Sequence, residues 1–141
     1  MDFLLQFDPV HRVLLITFGR VLTKASALAV HEAAERVVAS HGPCSAIADF
    51  SVTVKSELSQ QFLRSLAAMS PAIPAGNRKI LVAPATATYG LSRVFQVLEE
   101  RTGDTIPIVH SLDEALSLLG IESPEFRTFD STWPGAGMAA Q

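Results

Sequence analysis

The strongest constraint on the fold of this chain is a repeated alternation between short apolar segments and segments with helical spacing. Three times after residue 43, a short apolar run is followed by a loop and then by apolar residues three or four positions apart. The apolar runs are "CSAIADF", "KILVAP" and "TIPIVH" (residues 44–50, 79–84 and 105–110). Because parallel strands need a long crossover connection, which is usually a helix, this order predicts a parallel sheet in the later part of the chain.

The first part of the chain has a different pattern, in which two apolar segments lie close together. "FLLQF" and "VLLITF" (residues 3–7 and 13–18) flank the spacer "DPVHR", whose Asp and Pro are typical of a turn. We therefore predict a β-hairpin with its first strand as an antiparallel edge, followed by a helix that ends at Gly42-Pro43. The whole pattern predicts an α/β fold with four helices and a five-stranded mixed sheet, built from the N-terminal β-hairpin and then βα units.

The boundary of the domain is predicted from the last helical pattern. Ser111, followed three residues later by Glu114, forms a capping box at the start of a helix, and Gly120 is placed to end that helix. After about Pro124 the periodic pattern stops, so we assign residues 1–123 to one domain and residues 124–141 to a C-terminal tail. The tail carries aromatic residues that are candidates for docking on the domain: Phe126, Phe129 and Trp133.

Composition and charge argue against several classes of protein. The 141 residues are 48% hydrophobic and 18% charged with a net charge of −3, which suits one globular domain. The chain has no basic stripe, so we expect no nucleic-acid partner, and no apolar stretch of ~18 residues, so we expect no membrane span. The start "MDFLLQFDP" lacks the positive charge of a signal peptide, and the single Cys44 has no partner for an internal disulfide. These features predict a cytoplasmic location.

Two stretches in the second half of the chain carry a family resemblance. "RKILVAPATATYGLSRVFQVLEE" (residues 78–100) joins a strand to a helix that starts Tyr-Gly-x-x-Arg-x-Phe, and "IPIVHSLDEALSLLG" (residues 106–120) joins a strand to an Asp-Glu-Ala-Leu helix. With the order of elements given above, they resemble the bacterial STAS-like family, whose fold is that of the anti-sigma-factor antagonists. CRAL-TRIO lipid-transfer domains have a related core. The resemblance covers residues 3–120 and implies a regulatory domain that acts through contact with a protein partner.

The resemblance also gives a candidate regulatory site in the loop after "CSAIADF". Anti-sigma-factor antagonists carry an Asp-Ser-Ser/Thr-Gly turn there, and a serine of that turn is phosphorylated. Counted from Asp49, Glu57 and Ser59 fall near the acid and the phospho-acceptor, but Gln60 replaces the glycine that allows a tight turn. Ser59 is therefore a candidate phosphorylation site. The alternative, which we favour, is that a helix begins near Ser56 and that Ser56 and Ser59 cap it.

A second candidate site follows "KILVAP". Tyr89 and Arg93 are four residues apart and share one face of the predicted helix, whose start lies where open α/β sheets tend to bind ligands. With Asp49, Thr86 and Thr88 they form a candidate patch for an anion or a polar headgroup. The alternative is that Tyr89 covers the core and Arg93 pairs with a nearby carboxylate, of which there are three: Asp49, Glu57 and Glu99.

No sequence pattern supports catalysis or cofactor binding. The four histidines are dispersed and lack the spacing of metal ligands. Nucleophile, Walker and dinucleotide-binding patterns do not occur. We therefore expect no metal, no cofactor and no enzymatic activity.

Two functions agree with these observations. The first is a non-catalytic STAS-like regulatory or interaction domain, which binds a protein partner or a second copy of itself as a homodimer. The second is a binding module for a small ligand, either a lipid or an anionic metabolite. A deep apolar cavity beneath the helices that carry residues 58–69 and 91–98 would favour the ligand module. A filled core with an exposed apolar patch would favour the interaction domain.

Overall fold

The computed structural model describes residues 3–74, 76–100 and 105–129. These residues form four helices: α1 (Lys24–His41), α2 (Gln60–Ala68), α3 (Thr86–Glu100) and α4 (Leu112–Leu118). They also form eight strands: β1 (Phe3–Asp8), β2 (Val13–Phe18), β3 (Val21–Leu22), β4 (Ser45–Asp49), β5 (Lys55–Ser56), β6 (Lys79–Val82), β7 (Ile108–Val109) and β8 (Arg127–Phe129). The α/β class and the four helices agree with the sequence prediction.

Six of the strands form one mixed sheet in the order β7-β6-β4-β2-β1-β8. β1 runs antiparallel to both of its neighbours, β2 and β8, whereas β2, β4, β6 and β7 are parallel to one another. The predicted hairpin and the predicted parallel second half of the sheet are therefore confirmed.

The prediction of five strands, with β1 at an edge, was wrong because β8 covers β1. Leu5 pairs with Phe129 and Phe7 pairs with Arg127, in the segment predicted as a tail. β8 has only three residues, and its Arg127 and Thr128 are exposed, so it has no apolar pattern by which a strand is recognised. Phe126 is docked against the core beneath α4, as expected for one of the tail's aromatic residues. Trp133 lies outside the described residues.

A second, smaller sheet was not predicted. β3 and β5 pair in parallel, with Val21 beside Lys55 and Leu22 beside Ser56. The side chain of Thr53 fixes the same loop by donating to the carbonyl of Gly19 (2.8 Å). The loop after β4 is therefore held against the segment after β2.

The two faces of the main sheet carry separate cores, because alternate residues of a strand point to opposite faces. Leu14 and Ile16 of β2 belong to the core that includes Val30 and Val37 of α1. Val13 and Leu15 belong to the opposite core, which α4 covers with residues that include Ala115 and Leu116. Among the described residues, no helix combines the length and the apolar character needed to cross a membrane.

The predicted helix ends are present in the structure. The Ser111 hydroxyl accepts a hydrogen bond from the backbone N–H of Glu114 (3.1 Å), so Ser111 is the N-cap of α4. The Glu114 carboxylate accepts from the N–H of His110 (3.2 Å) and not from that of Ser111, so only half of the predicted capping box forms. Gly42 (φ +85°) follows α1 and Gly120 (φ +73°) follows α4, in the left-handed region that favours glycine.

The side of α3 that faces the protein carries buried polar residues. Thr88, Ser92 and Gln96 are buried and spaced four apart, so they lie along one stripe of the helix. Of the apolar residues that the helical pattern places on the inward side, Val94 is half-buried. The side chains of Leu91, Phe95 and Leu98 lie outside the described part of the chain.

Candidate functional site

A cavity of about 200 Å³ lies between the sheet and the helices on the α1 side. Its wall is almost entirely apolar and is formed by β2, β4, β6, α1, α2 and the segments around them. The lining residues from the helices include Ala27, Val30, Ala34, Leu63, Leu66 and Ser92. Leu63 and Leu66 belong to α2 and Ser92 belongs to α3, so the cavity lies beneath these two helices. An apolar cavity at this position was expected to favour a module that binds a small ligand.

Small side chains explain why this part of the core is not filled. Ala34 of α1 and Ala46 of β4 are buried at the wall, and Ala27 and Ala48 extend the same lining. Protein interiors are normally packed with few voids larger than a water molecule. Alanines on two facing layers leave a gap that the larger neighbouring residues do not close.

One end of the cavity is bounded by the segment that follows α2. Met69 and Pro71 line the cavity and are also exposed to solvent. The ring of His31 on α1 lies 2.9 Å, through Nε2, from the carbonyl oxygen of Ser70, and 3.6 Å, through Nδ1, from the carboxylate of Glu35. His31 thus ties the segment after α2 to α1 at the rim of the cavity.

Asp49, the first residue predicted for a polar site, is used locally. It is buried at the end of β4, and its Oδ1 accepts hydrogen bonds from the backbone N–H (2.9 Å) and the hydroxyl of Ser51. This arrangement closes a turn at the end of the strand.

Ser59, and not Ser56, caps α2. The helix begins at Gln60, and the Ser59 hydroxyl accepts a hydrogen bond from the N–H of Phe62 (3.0 Å). Ser56 belongs to β5, and its hydroxyl accepts from the N–H of Leu58 (3.2 Å). Capping by Ser59 is therefore confirmed, whereas the helix start near Ser56 was wrong because pairing with β3 extends this part of the chain. Phosphorylation of Ser59 stays a prediction.

The residues predicted around the start of α3 divide into buried and exposed members. Thr88 is buried and donates to the carbonyl of Ala85 (3.1 Å). Tyr89 is exposed, and its ring stacks at 6.4 Å from that of His110. Thr86 is the first residue of α3, and its side chain lies outside the described part of the chain.

Arg93 takes part in a hydrogen-bond chain with neutral partners. It donates to Oε1 of Gln96, and Nε2 of Gln96 donates to the carbonyl of Ile106 (2.5 Å). The predicted pairing of Arg93 with Asp49 or Glu57 is therefore wrong for the structure described, where Glu57 pairs with Lys55 (3.9 Å). The side chain of Glu99 lies outside the described part of the chain.

The predicted patch is therefore not a single assembled site. Within residues 3–74, 76–100 and 105–129, no hydrogen bond or ion pair joins one of its members to another. The same residues contain no group of three or more side chains that could hold a metal ion.

The sequence did not predict which residues line the cavity, because alanines at core positions are also what ordinary core packing requires. Two signals were present: alanines on both α1 and β4, and the polar spacing of Thr88, Ser92 and Gln96 on α3.

Cys44 has no sign of reactivity. It is buried in the core beneath α1. Burial raises the pKa of its thiol, an effect that the positive charge of Arg12 opposes without reversing. The thiol is therefore kept protonated, whereas a nucleophilic cysteine requires the thiolate.

Comparison with protein-family models, with curated proteins and with solved structures gave no match.

Proposed function

We propose that this chain is a non-catalytic cytoplasmic domain that binds a small apolar ligand between its sheet and its helices. The observation that carries the proposal is the cavity of about 200 Å³ beneath α2 and α3. Ligand pockets are typically concave and apolar, with a few polar groups that fix orientation. A domain that acts only through its surface has no need of an unfilled core.

A ligand in the cavity would also stabilise the folded state. Apolar groups that line an unfilled space lack contacts on one side. A ligand that occupies the space supplies those contacts and stabilises the folded state by mass action.

A STAS-like fold is part of the proposal. It is supported by the N-terminal hairpin, by the parallel strands β4, β6 and β7, and by the order of strands and helices. The additional strand β8 and the glutamine at position 60 are departures from the pattern of the anti-sigma-factor antagonists.

Native mass spectrometry of gently purified protein is the direct test. We expect a retained small molecule, visible as a mass increment that is lost on unfolding. A mass equal to that of the polypeptide alone, in protein that also fails to bind added apolar compounds, would contradict the proposal.

A substitution that fills the cavity should block binding. Ala34 is buried at the cavity wall, and Ala39 lies on the same helix but is exposed. We expect Ala34→Leu to weaken the binding of 1-octanol by about tenfold or more, because the added atoms occupy the space, and Ala39→Leu to have little effect. An NMR titration that follows the amide signals of Leu63 and Leu81 would measure this. Equal binding by the two variants would place the ligand elsewhere.

A second function, contact with a protein partner or with a second copy of the chain, is favoured by one surface. Val52 (51% exposed) and Val54 (60% exposed) lie in the loop that leads into β5, and Val21 of β3 is also exposed. Val54 is adjacent to β3, since its N–H donates to the carbonyl of Arg20 (2.8 Å). The same mass spectra test this function, because a homodimer would appear at twice the polypeptide mass.

A further inference from the structure

One buried hydroxyl on the wall of the apolar cavity has no partner in the protein. Ser92 of α3 lines the cavity and is only 4% exposed. Within the described part of the chain, no hydrogen bond engages its side chain. Thr88 and Gln96, the other buried polar residues of the same stripe of α3, each donate to a backbone carbonyl. The Ser92 hydroxyl is therefore not used in the way that its neighbours are.

The place of this hydroxyl follows from its lack of a partner. Every fully enclosed side-chain nitrogen or oxygen among the described residues has a hydrogen-bond partner. The Ser92 hydroxyl has none, so it is not fully enclosed and must border open space, and the space that Ser92 lines is the cavity. Such a group requires a polar atom of a ligand or a water molecule, because an unpaired polar group away from bulk water costs free energy.

The other polar side chains of the cavity wall already have partners. Of the described residues that line the cavity, only His31 and Lys79 are polar or charged besides Ser92. The ring of His31 contacts the carbonyl oxygen of Ser70 (2.9 Å) and the carboxylate of Glu35 (3.6 Å). Lys79 also has an interaction of its own within the protein. Among these lining side chains, a ligand would therefore meet one uncommitted hydroxyl and no uncommitted charge.

A wall of this kind is suited to an uncharged ligand with one polar atom. A charged group that leaves water for an apolar space without a counter-charge costs far more free energy than a neutral polar group does. A neutral oxygen that accepts a hydrogen bond from the Ser92 hydroxyl loses water but gains a partner, and it satisfies the hydroxyl at the same time. A purely apolar ligand would cover the hydroxyl and leave it unpaired.

The volume of the cavity limits the size of the ligand. The cavity of about 200 Å³ exceeds the ~150 Å³ of an engineered apolar cavity that binds benzene. A ligand somewhat larger than benzene, of roughly six to nine non-hydrogen atoms, fits this space. A phospholipid with two acyl chains does not.

From these features we infer that the ligand is a small neutral molecule with a single oxygen atom, an alcohol or a carbonyl compound whose remainder is apolar. Its oxygen accepts a hydrogen bond from the Ser92 hydroxyl, and its hydrocarbon part lies against the alanines and leucines beneath α1 and α2. Alcohols and carbonyl compounds share this accepting oxygen. The inference deepens the proposed function and depends on it.

The first test compares four small compounds on the wild type. 1-Hexanol and 2-hexanone have the single oxygen, 1-hexene lacks it, and hexanoate is charged. An NMR titration of the full chain in sealed tubes, which follows the amide signals of Leu63 and Leu81, measures each affinity. We expect at least one of the two oxygen compounds to bind as tightly as 1-hexene or more tightly, because the Ser92 hydroxyl replaces the lost water, and about tenfold or more tightly than hexanoate. The tighter of the two identifies the ligand as an alcohol or a carbonyl compound.

Two results on the wild type would overturn the inference while ligand binding in the cavity stands. If 1-hexene binds about tenfold or more tightly than both oxygen compounds, no group of the wall replaces the water that the oxygen loses. If hexanoate binds most tightly, the wall accepts an anion. If none of the four compounds binds, the proposed function fails as well.

A substitution at Ser92 assigns the contact to its hydroxyl. We expect Ser92→Ala to weaken the binding of the oxygen compounds by about three- to tenfold and to leave 1-hexene binding unchanged or tighter, because only the oxygen compounds use the hydroxyl. Ser65→Ala, which removes a hydroxyl from the exposed side of α2, should leave these affinities unchanged. An equal loss for all compounds, or no loss for any, would show that the ligand does not bond to Ser92.

Thermal unfolding of the ligand-free protein distinguishes a ligand contact from a structural role of the hydroxyl. Because the Ser92 hydroxyl has no partner in the described chain, Ser92→Ala should keep or raise the melting temperature. Thr88→Val removes a hydroxyl that donates to the carbonyl of Ala85, so it should lower the melting temperature by about 3–5 °C. A similar drop for Ser92→Ala would mean that its hydroxyl serves the fold, and the inference would be wrong. The comparison of the four compounds uses only the wild type, so it decides the question even if a variant does not fold.

Discussion

Asp8 connects the hairpin to the last strand through a single buried carboxylate. Oδ1 accepts from the N–H groups of Val10 (2.8 Å) and His11 (2.9 Å), which closes the turn between β1 and β2. Oδ2 accepts from the ring Nδ1 of His11 (2.7 Å) and from the N–H of Glu125 (2.9 Å). Burial alone raises the pKa of Asp8, but the hydrogen bonds from Glu125, His11 and Val10 outweigh it and hold the pKa below the ordinary 3.8.

We expect Asp8→Asn to lower the free energy of unfolding by on the order of 2–3 kcal/mol near neutral pH, because the amide accepts fewer of these hydrogen bonds. A carboxyl group with a lowered pKa in the folded state stabilises it above its pKa in the unfolded chain, and the effect is lost as the pH falls through the folded pKa. The difference between the wild type and Asp8→Asn should therefore shrink in acid.

Urea unfolding of both proteins at about pH 7 and about pH 3 measures this change. Glu122→Gln, at an exposed carboxylate, provides the control and should show a small effect at both values. A difference for Asp8→Asn that is equal at both pH values would contradict the account given for Asp8.

At the scale of elements, those with local signals could be predicted from the sequence. The hairpin has Asp8 and Pro9 in its turn, and α4 has Ser111 and Glu114 at its start, so each signal lies within the element itself. β3, β5 and β8 have two or three residues each, and they are strands only because a distant segment pairs with them. A single-sequence pattern does not contain that pairing.

The start of α2 shows how a distant partner moves a boundary. Ser56 and Ser59 are equally good capping residues, so the sequence alone did not distinguish them. In the structure, Leu22 pairs with Ser56, and the N–H of Glu57 donates to the carbonyl of Leu22 (2.8 Å), so the chain stays extended until Ser59.

This geometry predicts that Ser59 contributes more to stability than Ser56 does. We expect Ser59→Ala to lower the free energy of unfolding by about 1 kcal/mol, the usual cost of a lost N-cap, and Ser56→Ala to cost less. Ser59→Asp should keep the stability, because aspartate is also a good N-cap and its charge suits the N-terminus of a helix. Denaturant titrations of the three variants followed by circular dichroism would measure this. A larger loss for Ser56→Ala would mean that α2 begins earlier.

The candidate site was only partly predictable, for a related physical reason. The sequence predicts where such a cavity would lie, but the walls of the cavity depend on which small residues face each other after folding. Ala34 and Ala46 are twelve positions apart in the sequence. They line the same cavity only because α1 and β4 pack against each other in the folded chain. The apolar spacing of α3 predicts an inward side made of apolar residues, and a buried serine such as Ser92 adds no signal to that pattern.

At the scale of the whole molecule, the segment of residues 124–129 is bound to one face and to one edge of the sheet. Phe126 packs against the core beneath α4, and β8 pairs with β1. The N–H of Glu125 donates to the buried carboxylate of Asp8. These contacts join the end of the described chain to its beginning. Residues 124–129 therefore pack as part of the same folded domain as the residues before them.

A pair of truncated chains tests this conclusion. We expect a chain that ends at Ser123 to unfold with a free energy on the order of 3 kcal/mol lower than a chain that ends at Phe129, because it lacks the Phe126 side chain in the core, the strand pairing of β8 and the donor to Asp8. Urea unfolding of the two chains measures the difference. In the longer chain, Phe126→Ala should account for the largest share of it, and the exposed Arg127→Ala for little. Equal stability of the two chains would restore residue 123 as the boundary of the domain.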